Sequence, residues 1–280
     1  MQSVLDRSVA YSNYMRVMPL GASITSGYGS ASGLLYCVRI GDARLTCVPG
    51  NGYRQILKDT IVARGLDLNY VGTQHSGNMT DDDNEAYGGL RIEEVQAKIA
   101  TGLKYLPSVV LVLLGSNGTP LSLPPSPPKE YPVNSFPDMA QNFDVANAHT
   151  RMGVLVDYIF NTVPNTTILV AKLPPNGNAA TEANVKIFNA NLDKMAAARP
   201  RAKLLLANMH AALDPATDLI ADGLHPNDAG YKKIATVWEN TIAWAFLMVC
   251  PPPSRLSDCN CVLALRDGDG SCMRERRTVY

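Results

Sequence analysis

Met18-Pro19-Leu20-Gly21-Ala22-Ser23-Ile24-Thr25-Ser26-Gly27 decides the fold. Its first half is apolar and closes on Gly21, as expected of a buried strand reaching its carboxyl end. Its second half is a short polar turn bounded by Gly27, and it sets one serine just beyond that strand end. Ligands of open α/β sheets bind at such ends, so Ser23 stands where a nucleophile is useful.

A serine hydroxyl is unreactive at its own pKa and needs a base, and an imidazole base needs a carboxylate to fix its tautomer. Asp222-Gly223-Leu224-His225-Pro226 offers both, just ahead of a helical pattern. Acyl transfer also needs donors for a developing oxyanion. The unbroken apolar run 109–114 reads as a strand covered on both faces and ends in Gly115-Ser116-Asn117, which would bring an amide side chain to a strand end. Gly88-Gly89, before Leu90-Arg91-Ile92-Glu93-Glu94-Val95, offers an unobstructed backbone N–H, and the Ser23 N–H is the third donor. Each residue alone has an ordinary alternative: Ser23 a turn former, Asp222 a helix cap, Gly89 and Asn117 loop residues.

Ser23, Gly89, Asn117 and His225, in that order, resemble the four marker residues of the SGNH (GDSL-type) hydrolase superfamily, over residues 16–244. Within that span 18–25, 71–79 and 88–95 are similar to fungal members of carbohydrate esterase family three, the acetylxylan esterases and their relatives. The resemblance implies Ser23 as nucleophile, His225 as base, Asp222 as its partner, and Ser23, Gly89 and Asn117 as oxyanion donors. It implies an acyl, foremost acetyl, ester on carbohydrate as substrate, and no cofactor or metal. Ala22 stands where many members carry aspartate.

Strand patterns at 16–20, 68–72, 109–114, 167–173 and 202–208 alternate with helical patterns at 53–63, 92–103, 141–161, 182–198 and 227 to about 244. Such alternation predicts an α/β fold, a three-layer α/β/α sandwich around a five-stranded parallel sheet, which the resemblance makes flavodoxin-like. The expected organisation is an N-terminal extension 1–15, a hydrolase domain 16–245 and an irregular tail 246–280. Residues 34–49 and 118–137 interrupt the alternation, the second being proline-rich. Removing 118–137 restores Gly-Ser-Asn-Asp, close to the family's Gly-Thr-Asn-Asp block, and removing 34–49 brings Ser32-Gly33 up to Gly50-Asn51-Gly52-Tyr53-Arg54. Both are read as retained introns translated in frame, with a substrate-binding loop as the competing reading.

The 280 residues, 46% of them hydrophobic, suffice for one sizeable core. A formal net charge of zero gives no electrostatic case for nucleic acid or an acidic membrane. The late apolar run 242–250 is too short to span a bilayer. A monomer is expected. Of six cysteines, Cys37 and Cys47 fall in the first interruption and Cys250, Cys259, Cys261 and Cys272 in the tail, so the hydrolase core needs no thiol or zinc chemistry. Asp267 and Asp269 have part of a calcium-loop look but lack the glycine and glutamate that such a loop requires. The first fifteen residues show no signal-peptide pattern, whereas the resembled esterases are typically secreted. The alternatives are a lipid esterase or thioesterase of the same superfamily, and an inactive or carbohydrate-binding isoform disrupted beside Asn117.

Overall fold

A computed structural model of the chain describes residues 14–32, 37–40, 44–47, 50–116, 144–199 and 203–249. Strand β1 (Tyr14–Gly21) is followed at once by a single helical turn, α1 (Ser23–Ser26). Next come two short strands, β2 (Cys37–Ile40) and β3 (Arg44–Cys47), which pair antiparallel with each other. Helix α2 (Gly52–Ala63) leads to β4 (Asp67–Tyr70), the two-residue β5 (Gln74–His75) and β6 (Asp83–Ala86). Then follow α3 (Ile92–Gln96), β7 (Val109–Leu113), α4 (Ala148–Thr162), β8 (Thr167–Lys172), α5 (Ala179–Ala197) and β9 (Leu204–Asn208). Two short helices, α6 (Met209–Ala212) and α7 (Pro215–Asp218), precede the long α8 (Asp228–Val249).

The sheet forms because its inner strands are apolar on both faces. All five residues of β7 are buried. Val110 and Val112 point into a core with Met18, Leu20, Ile168 and Val170, capped by Ile92 and Val95 of α3, Met152 and Leu155 of α4, and Phe188 and Leu192 of α5. Val109, Leu111 and Leu113 point the other way, into a core with Val17, Leu169 and Ala171 under Tyr53, Leu57 and Ile61 of α2 and Ile234, Trp238 and Ile242 of α8. Each such aliphatic side chain contributes about 1.5–3 kcal/mol on burial. The result is the expected three-layer α/β/α arrangement, with β1, β7, β8 and β9 running parallel in that order.

The other side of β1 departs from a simple five-strand count. The first half of β1 pairs with β4, from Tyr14 beside Asp67 to Val17 beside Tyr70. Its end pairs with β6, Leu20 beside Glu85 and Gly21 beside Ala86, and β5 folds back antiparallel on β6. One strand position is thus filled by two pieces, with the chain looping out between them, and the sheet counts seven strands. Strand β6 escapes a search for apolar runs because its sequence, Asp-Asn-Glu-Ala, is polar, although Asn84 and Glu85 are fully buried.

Two helices also differ from their expected bounds. The pattern over 92–103 yields helix only to Gln96, and a separate 3-10 turn follows at Gly102–Tyr105, where Gly102 packs directly on the Glu85 carboxylate. Helix α4 starts at Ala148 rather than 141, because Asp144 takes a left-handed backbone (φ 41°) and a 3-10 turn intervenes. Of the expected N-terminal extension 1–15, Tyr14 and Met15 open β1, and of the expected tail 246–280, residues 246–249 complete α8; residues 1–13, the tail beyond Val249, residue 117 and the interruption 118–137 lie outside the described residues.

Candidate active site

Ser23 opens the helical turn directly after β1. The turn ends at Gly27, whose φ of 94° favours glycine and where a Cβ would lie 2.1 Å from the Gly50 carbonyl oxygen. His225 and Asp222 lie in the loop between α7 and α8, which folds on itself through Ile220 N–H to His225 O and Gly223 N–H to Ile220 O. Asn227 begins α8 by accepting the Gly230 N–H on its side chain.

The structure brings the three residues into one relay. His225 Nε2 is 2.8 Å from Ser23 Oγ, and His225 Nδ1 is 2.7 Å from Asp222 Oδ2. An ionised carboxylate only accepts, so Nδ1 carries the proton and the Nε2 lone pair faces the serine hydroxyl. Asp222 Oδ1 accepts the N–H groups of Leu224 and His225, each at 2.9 Å. Burial works against its charge, but the His225 ring and these two N–H groups outweigh it and hold Asp222 below the usual carboxylate range. The imidazole is mostly covered, with 12% of its side chain exposed, and the Tyr28 ring leans on it at 4.5 Å between centroids.

Gly89 follows β6, whose last residue pairs with Gly21, so it leaves the sheet beside Ser23. It is exposed, has φ of 79°, and nothing lies within 4 Å of where a Cβ would stand. Asn117 lies outside the described residues, and Ser116, at the exit of β7, is buried. Among the described residues, His75, Asp82 and Asp83 gather potential metal-ligand atoms within 4.8 Å of one another. They satisfy each other, with His75 Nδ1 at 2.9 Å from Asp82 and 3.1 Å from Asp83.

Several supporting residues were not legible from the sequence. Arg54 of α2 is fully buried and donates to the carbonyls of Ser26 at 3.2 Å, Ser76 at 2.7 Å and Asp82 at 3.0 Å, joining the Ser23 turn to the loop between β4 and β6. Tyr231 of α8 donates to the carbonyls of Tyr28 at 2.6 Å and Ile24 at 3.2 Å. Asp228 accepts from Ser30 Oγ and the Ala31 N–H. The one available signal was Arg54 itself, a charge beside the apolar face of Tyr53, Leu57 and Ile61.

The sequence profile of the GDSL-like Lipase/Acylhydrolase family matches residues 20–233. The chain belongs to this family. A family 3 carbohydrate esterase of Clostridium thermocellum superposes with a TM-score of 0.62 at 27% identity, covering 83% of this chain and 97% of that one. A carbohydrate esterase family 3 structure from Talaromyces cellulolyticus shares the fold at 17% identity, with a TM-score of 0.59 and coverage of 84% and 98%. A multidomain esterase of Ruminococcus flavefaciens is 24% identical over 252 residues, 80% of this chain, which spans only 28% of that protein's length. This last relative is bacterial, and the comparisons give the expected fungal affinity no support. No described helix is long and apolar enough to cross a membrane.

Proposed function

We propose that this GDSL-like chain is a serine esterase that removes acyl groups, acetyl foremost, from carbohydrate. The observation that carries the reading is the unbroken relay from Asp222 through His225 to Ser23 Oγ, both links at hydrogen-bond distance. In this reading His225 Nε2 takes the hydroxyl proton as Ser23 Oγ bonds to the ester carbonyl carbon. The N–H groups of Ser23 and Gly89 and the Asn117 side chain receive the resulting oxyanion. Collapse breaks the bond to the sugar oxygen, which leaves with the proton from His225. Water, deprotonated by the same imidazole, then attacks the acyl-enzyme, and release of the acid restores Ser23.

Carbohydrate as the alcohol side rests on likeness to the family 3 carbohydrate esterase of Clostridium thermocellum, at 27% identity and a TM-score of 0.62. The deciding experiment is acetate release from acetylated xylan by the chain and by Ser23→Ala. Release that disappears in the variant is the expected result. Equal release by both would remove Ser23 from the chemistry, and turnover confined to long-chain acyl esters would move the substrate to lipid.

A further inference from the structure

Glu85 is a fully buried carboxylate that the relay does not use. It sits on β6 beside Leu20, in the strand next to the nucleophile strand. Its Oε1 accepts the Thr73 N–H at 2.7 Å and its Oε2 accepts the Tyr87 hydroxyl at 2.6 Å, a short charge-assisted bond. Gly102 packs so closely on Glu85 that a Cβ there would stand 2.2 Å from Oε1, so the carboxylate is fixed from behind.

Tyr87 is held at three points. Its phenol is bound by Glu85, its N–H donates to Gly21 O at 2.9 Å, and its carbonyl accepts the Leu90 N–H at 3.3 Å. The second bond reaches β1 two residues before Ser23, and the third closes the turn that contains Gly88 and Gly89. The Lys98 ammonium lies 5.7 Å from the centre of the Tyr87 ring. The two glycines gain no rigidity from side chains of their own, so the turn takes its position from Tyr87 and Leu90 at its ends.

We propose that Glu85 and Tyr87 are positioning residues that hold the Gly88-Gly89 turn against β1 and thereby aim the Gly89 N–H at the oxyanion. The inference rests on the esterase reading above and on Gly89 as one of its donors. Burial, followed by the bond to Glu85, pushes the Tyr87 phenol up to about 12, so it remains a proton donor throughout the working pH range. A donor that acts on the transition state and not on bound ester should show in kcat and not in KM.

Tyr87→Phe keeps the ring and its packing and removes only the hydroxyl. Its kcat on an acetyl ester is expected to fall about 5- to 20-fold with KM within about twofold, since a misplacement of 1 Å can cost about a hundredfold. Phosphonylation of Ser23 by a p-nitrophenyl phosphonate builds a tetrahedral adduct with an oxygen in the same place, and its rate should fall in step with kcat. Glu85→Gln keeps an acceptor for one of the two donors and should fall between wild type and Tyr87→Phe.

A lowered melting temperature with kcat and phosphonylation unchanged would overturn the assignment and leave the pair a merely structural contact. A raised KM at constant kcat would overturn it by placing Tyr87 against bound substrate. Wild-type protein with no Ser23-dependent turnover of any acyl ester would overturn the esterase reading itself, a failure told apart from the others because it precedes any variant.

Discussion

Asp222 serves two masters with its two oxygens: Oδ2 holds the His225 ring and Oδ1 holds the loop that carries that ring. Asp222→Asn would keep the shape but present an N–H where one lone pair is needed, favouring the wrong imidazole tautomer. Its kcat is expected to drop about 10²- to 10⁴-fold with little change in KM, measured on any acetyl ester. Because the folded-state pKa is depressed, the stability this carboxylate contributes is present above the ordinary carboxylate value and lost as pH falls through the folded one. Thermal melts of wild type should therefore drop more steeply than those of Asp222→Asn as pH goes below about 4. At this scale Ser23, His225 and Asp222 were legible because few residue types can do this chemistry, and each stood at a strand end or before a helix. Glu85, Tyr87 and Arg54 were not, because they act through hydrogen bonds to backbone groups and, for Glu85 and Tyr87, to each other, which no spacing rule encodes.

Helix α8 does more than cover the sheet, since its first turns grip the segment behind Ser23. Tyr231 is wholly buried, and burial keeps its phenol protonated far into alkali, so its hydrogen is always available to the Tyr28 and Ile24 carbonyls. Tyr231→Phe removes one donor from two acceptors, of which the Ile24 carbonyl is buried, and is expected to cost about 1–3 kcal/mol. In a chain of this size that corresponds to a melting temperature lower by about 2–4 °C per kcal/mol, read by calorimetry. If the turn loosens as well, kcat falls more than the lost stability explains at temperatures well below the melt. Strands β7 and β8 could be read from sequence because burial on both faces leaves an unbroken hydrophobic run. Strand β6 could not, since the Asn84 amide is satisfied by Ser76 Oγ and the Asp82 carbonyl and the Glu85 carboxylate by Thr73 and Tyr87. A buried strand can be polar when every polar atom has a partner, and then hydrophobicity says nothing about it.

For the molecule as a whole, the open matter is whether residues 34–49 belong to the fold. The ribbon of β2 and β3 pairs with itself, its two strands forming a sheet separate from the central one. On either side of the segment the chain returns to where it left: the Asn51 N–H donates to the Ser32 carbonyl at 2.7 Å, and the Gly50 N–H to the Gly27 carbonyl at 3.1 Å. Deleting 34–49 joins Gly33 to Gly50, so that Ser32-Gly33-Gly50-Asn51 becomes a four-residue turn closed by the hydrogen bond already present. Two central glycines can take up any turn type. Shortening a loop changes its closure entropy only slowly, so the gain from that source is about 1–2 kcal/mol at most. The shortened chain is therefore expected to fold with an unchanged far-ultraviolet helix signal and a melting temperature equal to or above that of the full chain. Because Gly27, Ser30 and Ser32 lie beside the Ser23 turn, acetyl-ester turnover measured alongside shows whether the segment also serves the substrate. Turnover retained or raised would mark 34–49 as an addition to a complete hydrolase. Turnover lost from a protein that still folds would mark it as part of the cleft.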